Sequence, residues 1–156
     1  MHSKTNAPST LLIAILLPLA VGSFASLLSN PMSGSVMQQP PASPPAFLFP
    51  IVWSILYTLM GISSYLIYVS DSAGKYQALF IYALQLFFNF FWSILFFRFE
   101  LYLPAFFWLL ILILLIAVMI YLFYQIRPLA AYLQIPYLLW CLFAAYLNYQ
   151  VYLLNK

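Results

Sequence analysis

Three stretches of the sequence place tryptophan at helical spacing from amide, phenol or small side chains. They comprise Trp53, Tyr57 and Ser64, then Gln85, Asn89 and Trp92, and finally Tyr137, Trp140, Ala144 and Asn148. Residues three, four or seven positions apart share one face of a helix, so each stretch forms a stripe. Because an indole stacks on flat conjugated ligands and a neutral amide both donates and accepts hydrogen bonds, the stripes predict an aromatic binding cavity.

A purely structural interpretation of these stripes stays open. Amide side chains often join neighbouring membrane helices, and tryptophan and tyrosine often anchor a helix at the lipid headgroups. Gln85 and Trp108 fit that interpretation as well as they fit a site. Trp108 lies in the almost featureless apolar stretch LPAFFWLLILILL, which predicts that it contacts lipid.

Side chains that could transfer protons or hold a metal ion are scarce. The single histidine, His2, and the single cysteine, Cys141, exclude an internal disulfide and a His/Cys metal cluster. The charged residues, five basic and two acidic, lie singly at or beyond the ends of the apolar segments. Proton-coupled carriers and hydrolases place ionisable groups inside the protein, so this pattern argues against both, and it also excludes a nucleic-acid surface.

The elements that carry these residues are membrane-spanning helices. Of the 156 residues, 67% are hydrophobic and 4% are charged, which no soluble domain of this length could bury. A bilayer core of about 30 Å needs roughly 20 apolar residues per helix. Cutting the chain at charges and at Pro, Gly and Ser clusters predicts an all-α integral membrane bundle of five transmembrane helices, at Thr10–Leu28, Phe47–Val69, Ala78–Phe97, Leu103–Ile126 and Leu129–Leu154.

The connection between the first two helices has an unusual composition. Residues 29–46 contain five prolines and no charge, so the segment cannot be helical throughout. We expect a semi-rigid lid across one end of the bundle, with Pro44 and Pro45 leading into the second helix; a flexible linker is the alternative. Pro136 predicts a kink within the fifth helix that widens the bundle near Tyr137 and Trp140.

The first helix and the membrane orientation each leave two interpretations. Lys4, the apolar run from Leu11 and the small residues up to Ala25 resemble a cleaved signal peptide, whereas Gly22 and Ser26 equally suit a retained helix that packs closely. We expect retention, with the termini on opposite sides. Three basic residues on one side against two on the other leave the orientation open.

Three apolar runs carry a resemblance to a known family. They are PPAFLFPIVWSILYTLMGISSYL (Pro44 to Leu66), ALQLFFNFFWSILFF (Ala83 to Phe97) and PYLLWCLFAAYLNYQVYLLN (Pro136 to Asn155). These runs resemble helices two, three and five of the translocator protein family, also known as the tryptophan-rich sensory protein or peripheral benzodiazepine receptor family. The likeness extends over nearly the whole chain and in the same order.

The resemblance implies a five-helix bundle, commonly a homodimer, whose cavity is capped by the first loop. It implies ligands such as protoporphyrin IX and related tetrapyrroles, sterols or benzodiazepine-site compounds, and no required cofactor or metal. The family's cavity residues correspond to Trp53, Asn89, Trp92, Trp140, Ala144 and Asn148, to which the stripes add Tyr57 and Tyr137. We expect an integral protein of a bacterial cell membrane.

Three functions compete at this stage. The leading hypothesis is a sensor or regulator of tetrapyrrole levels that binds a porphyrin between aromatic faces. The second is an enzyme for light-dependent porphyrin breakdown, as the resemblance implies for some members, with Trp53 and Trp140 as the redox-active candidates and no other catalytic residue. The third is a lipid or sterol carrier, for which Leu147, Tyr152 and Lys156 match a weak sterol-contact pattern.

Overall fold

The computed structural model describes residues 7–34 and 36–156, so His2 and Lys4 lie outside the described residues. The regular secondary structure in this part of the chain is entirely helical, with no strand. Its helices are α1 (Ala7–Leu28), α2 (Leu48–Tyr68), α3 (Lys75–Ser93), α4 (Tyr102–Ile126), α5 (Pro128–Tyr132) and α6 (Ile135–Leu154). The predicted all-α class is confirmed.

Five helical segments in the described residues are long and apolar enough to cross a membrane. The third segment extends α3 through a π-helical turn, Ile94–Arg98, and the fifth comprises α5 and α6 together. Each has between 21 and 27 residues, and a rise of about 1.5 Å per residue makes every one of them long enough for the hydrocarbon core. The five predicted spans are therefore confirmed, and the chain is an integral membrane protein.

The fifth span differs from the prediction at Pro136. We expected a kink inside one continuous helix, but the helix stops at Tyr132 and resumes at Ile135. Pro136 therefore lies in the first turn of α6, where its missing N–H would have had no helical partner in any case. Arg127, immediately before Pro128, is extended and separates α4 from α5, as the residue before a proline favours.

The spans form a closed ring in the order α1, α2, α5 with α6, α4 and α3. α4 supports the core through one buried stripe at helical spacing, comprising Leu109, Leu112, Ile116, Met119 and Phe123. Large apolar side chains on the outer faces are exposed, as lipid contact requires. α2 contacts the fifth span mainly through α5.

α1 and α2 approach each other closely at Gly61. A Cβ atom at this position would lie 2.4 Å from the Ile15 Cα and 2.5 Å from the Ala14 carbonyl oxygen, so only glycine fits. Close backbone approach over a small residue is how membrane helices gain van der Waals contact, because lipid gives them no hydrophobic drive to associate. The pair α1 and α2 is thus one firmly packed side of the ring.

The loop between α1 and α2 is fastened across one end of the bundle. The Gln38 N–H donates to the Asn155 Oδ1 at 3.0 Å, and the Asn155 Nδ2 donates back to the Gln38 carbonyl at 3.0 Å. Nearer α1, the Ser33 hydroxyl donates to the Glu100 carboxylate. The loop is therefore tied both to the C-terminus and to the connection between α3 and α4.

Candidate ligand cavity

A cavity of about 630 Å³ lies inside the ring, between α1, α2, α3 and α6. It occupies the half of the bundle nearest the fastened loop, where α1 ends and α2 begins. Six of the eight predicted ligand-binding residues line it: Trp53, Tyr57, Asn89, Trp92, Trp140 and Ala144. The structure thus brings together side chains from three stripes that are up to 91 positions apart in the sequence.

Aromatic rings form much of the wall. The Trp53 ring stacks on Tyr57, with centroids 5.4 Å apart and planes 28° apart, and meets Tyr137 edge-on at 6.2 Å. Trp140 on the opposite helix packs edge-on against Phe49 at 6.0 Å. Two indoles from different helices therefore border the same space, each held by ring contacts.

A chain of buried hydrogen bonds closes the deep end of the cavity. The Tyr57 hydroxyl donates to the Asn89 Oδ1 at 2.8 Å, and the Asn89 Nδ2 donates to the Tyr137 hydroxyl at 2.9 Å. Tyr137 in turn donates to the Gln85 Oε1 at 2.8 Å. Asn89 and Tyr137 each accept one hydrogen bond and donate one, and Gln85 presents its amide oxygen to Tyr137, so the chain fixes the orientation of both amides.

Tyr137 therefore corrects the sequence prediction, because it does not line the cavity. The residue is 1% exposed and lies behind the wall, where its hydroxyl joins Asn89 to Gln85. Gln85, which the sequence left undecided, has the same supporting role and is fully buried. The helical stripe identified both residues but could not show which faces the cavity and which faces the core.

Asn148 is a second correction. It is 1% exposed and does not line the cavity. Its Oδ1 accepts the Trp92 indole N–H at 3.1 Å, and its Nδ2 donates to the Tyr102 carbonyl at 2.7 Å. Asn148 thus holds Trp92 in place and joins α6 to α3 and α4.

The sequence missed most of the cavity wall contributed by α1. The lining residues on this helix include Leu19, Gly22, Ser23, Ala25 and Ser26, and Ser29 lies immediately beyond its end. The signal was present in the small residues, which we interpreted as helix packing or as a cleavage site. Gly22 shows why they are small, since a Cβ atom there would lie 2.2 Å from the Tyr57 ring.

Phe49, Pro50, Ser54, Ser93 and Phe97 complete the missed part of the lining, together with Leu27. None of the lining side chains carries a formal charge. The cavity therefore offers aromatic faces, hydroxyls and one amide, and it suits a flat, largely apolar ligand.

The predicted lid prolines do not reach the cavity. Pro44 and Pro45 lie just before α2, and no residue between 30 and 48 is among the lining residues in the described part of the chain. The loop covers the end of the bundle without supplying side chains to the wall. Its ties to Glu100 and Asn155 explain why it stays at that end.

Trp108 and the sterol-contact pattern also differ from expectation. Trp108 donates its indole N–H to the Phe88 carbonyl at 2.8 Å and stacks on the Phe88 ring at 4.3 Å, so it joins α4 to α3. Leu147 is buried, whereas Lys156 is exposed beyond the end of α6. Leu147, Tyr152 and Lys156 therefore do not form one lipid-facing surface.

The fold and the cavity define a class: a five-span membrane bundle with an aromatic ligand cavity inside it. The TspO/MBR family model matches residues 14–154. The tryptophan-rich protein TspO of Archaeoglobus fulgidus is 34% identical over 149 residues, covering 93% of this chain and 96% of that protein. The chain therefore belongs to the TspO/MBR family.

Relatives occur in bacteria and in animals. The tryptophan-rich sensory protein of Cereibacter sphaeroides is 34% identical over 119 residues, which cover 76% of this chain and 74% of that protein. The translocator protein of Ovis aries is 37% identical over 123 residues, which cover 77% and 73% respectively. The resemblance stated from the sequence is confirmed.

Proposed function

We propose that the protein binds a tetrapyrrole of the protoporphyrin IX type in the inner cavity and acts as a sensor or regulator of tetrapyrrole levels. The observation that carries the proposal is that two indoles from different helices, Trp53 and Trp140, border one cavity of about 630 Å³. This volume lies within the range of small-molecule sites, roughly 300 to 1,000 Å³. The names of the relatives, sensory protein and translocator protein, support a ligand-binding role.

The state of the indole N–H groups supports the same proposal. The N–H of Trp92 is bonded to Asn148 and that of Trp108 to Phe88. Trp53 and Trp140 make no such bond within the described part of the chain, so their N–H groups are available to a ligand. Stacking of a conjugated ligand on an indole contributes about 0.5 to 1.5 kcal/mol beyond the area it buries.

The orientation of the ligand follows from charge. Arg98 lies at the loop end of the cavity, where its guanidinium donates to the Leu28 carbonyl at 3.2 Å, and its neighbour Phe97 lines the cavity. We place the carboxylates of a porphyrin toward this end, because the deep end is closed by neutral side chains. A porphyrin dimethyl ester, which lacks those charges, should then bind more weakly than the free acid.

The test is a titration of purified protein with protoporphyrin IX and with its dimethyl ester, followed by the porphyrin absorption band in the dark. Saturable binding of the acid, with weaker binding of the ester, supports the proposal. Equal binding of both compounds would contradict the assigned orientation, and no saturable binding of either would contradict the function.

The enzymatic alternative rests on one arrangement. Trp53 stacks on Tyr57 and touches Tyr137 edge-on, which places an oxidisable indole beside two phenols at the cavity wall. Illumination of the same samples separates the two functions. Loss of the porphyrin band that depends on the protein and on light favours breakdown, whereas an unchanged band favours sensing. A sterol that displaces the porphyrin would instead favour the carrier function.

We also propose a homodimer in the membrane. Phe80, Phe87 and Phe91 are exposed and share one face of α3, at positions i, i+7 and i+11. A second copy could cover this face, as family membership suggests. A Phe87→Cys variant should cross-link in native membranes, whereas Phe107→Cys, on the exposed face of α4, should not. Cross-linking of both or of neither would contradict this interface.

A further inference from the structure

Three sides of the inner cavity are bordered by contacts that join neighbouring elements. At the water-facing end, the loop is fastened to Asn155 and Glu100. At the deep end, the hydrogen-bonded chain from Tyr57 to Gln85 fills the bundle. Between α1 and α3, Phe24 stacks on Phe90 with centroids 5.8 Å apart, so an aromatic pair covers that side.

The side between α2 and α6 is different. A second depression of about 450 Å³ lies there, which we call the outer groove. All of its lining residues are apolar: Val52, Ile55, Leu56, Pro136, Leu139, Trp140 and Phe143. Ile55 and Leu139 are more than half exposed at its rim, at 56% and 60%, so in a membrane the groove opens to the lipid chains.

One side chain, that of Trp140, borders both the outer groove and the inner cavity. Its indole is held by ring contacts to Phe49 at 6.0 Å and Phe143 at 5.7 Å, and not by a hydrogen bond within the described residues. The indoles of Trp92 and Trp108, in contrast, are fixed by their N–H bonds.

We propose that the outer groove is a membrane-facing portal, which takes an apolar or amphipathic planar ligand dissolved in the bilayer core and passes it to the inner cavity when the Trp140 indole turns. This proposal rests on the proposed function. The apolar character of the ligand follows from the lining residues, which offer no hydrogen bond to a polar molecule. That the same ligand reaches the inner cavity follows from the position of the groove, which meets the cavity at the Trp140 side chain. A change of the Trp140 rotamer would join the two spaces, because this side chain lines both of them.

The first experiment fills the groove and measures rates. Val52→Phe with Leu139→Phe adds bulk on both sides of the portal, and Val118→Phe with Leu142→Phe makes the same changes at lipid-exposed positions outside it. Protoporphyrin IX is loaded into phosphatidylcholine vesicles and mixed with each protein in proteoliposomes by stopped flow.

We expect the filled groove to slow association and dissociation by roughly five-fold each, at an affinity within two-fold of the parent, because a portal changes rates and not the bound state. Rates equal to those of the parent, with the control pair also unchanged, would overturn the portal.

The second experiment does not require porphyrin binding. Lipids with acyl chains brominated near the middle quench tryptophans that they touch, and comparison with Trp140→Phe isolates the contribution of Trp140. We expect bromolipid to quench Trp140 in the parent and in the control pair but not in the protein with the filled groove. Absence of this difference would overturn the proposal even if porphyrin binds. Quenching through the groove without any porphyrin binding would instead refute the proposed function and retain the groove as a lipid-accessible site.

Discussion

Replacement of Trp140 and of Trp108 by alanine should separate a ligand contact from a structural contact. Trp140 borders the cavity and its indole N–H has no partner in the described part of the chain, whereas Trp108 donates to the Phe88 carbonyl and stacks on that ring. Trp140→Ala therefore removes a surface that a ligand would use. Trp108→Ala removes contacts that hold α4 against α3.

The magnitudes follow from these contacts. Loss of stacking on an indole costs about 0.5 to 1.5 kcal/mol, and the vacated space adds a cavity term, so Trp140→Ala should weaken porphyrin binding roughly ten-fold or more. For Trp108→Ala, one hydrogen bond and one aromatic pair are lost, which amounts to about 1 to 3 kcal/mol of unfolding free energy. Its porphyrin affinity should stay close to that of the parent.

Two measurements on each variant distinguish a ligand contact from a structural contact. The porphyrin absorption band, followed during titration in the dark, gives affinity without depending on the number of tryptophans. Thermal unfolding in detergent, followed by circular dichroism, gives stability. Parent-like affinity in a folded Trp140→Ala variant would remove Trp140 from the site. A loss of affinity in Trp108→Ala as large as in Trp140→Ala would refute the division between the two indoles.

Three further substitutions test the packing around the cavity. Gly61→Ala should lower thermal stability strongly, because its Cβ would meet the α1 backbone, whereas Gly74→Ala, with no atom nearer than 3.8 Å, should not; equal effects would contradict the close approach. Tyr137→Phe loses two hydrogen bonds and Tyr57→Phe loses one. At about 0.6 to 1 kcal/mol per bond, Tyr137→Phe should lower the stability measured by thermal unfolding roughly twice as much as Tyr57→Phe. Asn155→Ala should increase protease cleavage in the loop, since it removes both bonds to the loop backbone; unchanged cleavage would show that the other ties suffice.

The sequence predicted the fold well because each span had to satisfy a length set by the bilayer. Pro, Gly, Ser and charged residues interrupt the apolar segments, and both ends of all five predicted spans lie within three residues of the observed ones. The interruption lies in the turn before Pro136, as expected for a proline, which disturbs the preceding turn, but it is a break between α5 and α6 and not a kink within one helix.

The cavity was predicted less completely than the fold, for a geometric reason. Helical spacing shows that Asn89 and Trp92 share a face with Gln85, but the bundle turns part of that face toward the cavity and part toward the core. The part of the wall that α1 contributes contains no aromatic or amide side chain that a sequence pattern would identify. The informative feature is the missing side chain of Gly22, which makes room for the Tyr57 ring.

The four tryptophans show where the remaining ambiguity lies and what resolves it. From the sequence, each indole suits a ligand contact as well as a structural anchor, since ring size and apolar surroundings are common to both. In the structure, the N–H groups of Trp92 and Trp108 are bonded to partners on other helices, 56 and 20 positions away along the chain. Those of Trp53 and Trp140 have no protein partner among the described residues, and both indoles border the cavity. A bonded N–H fixes an indole in the scaffold, even where it lines the cavity as Trp92 does, whereas an indole with an unbonded N–H beside the cavity can turn to admit a ligand. That distinction depends on residues too distant along the chain for a local pattern to reveal.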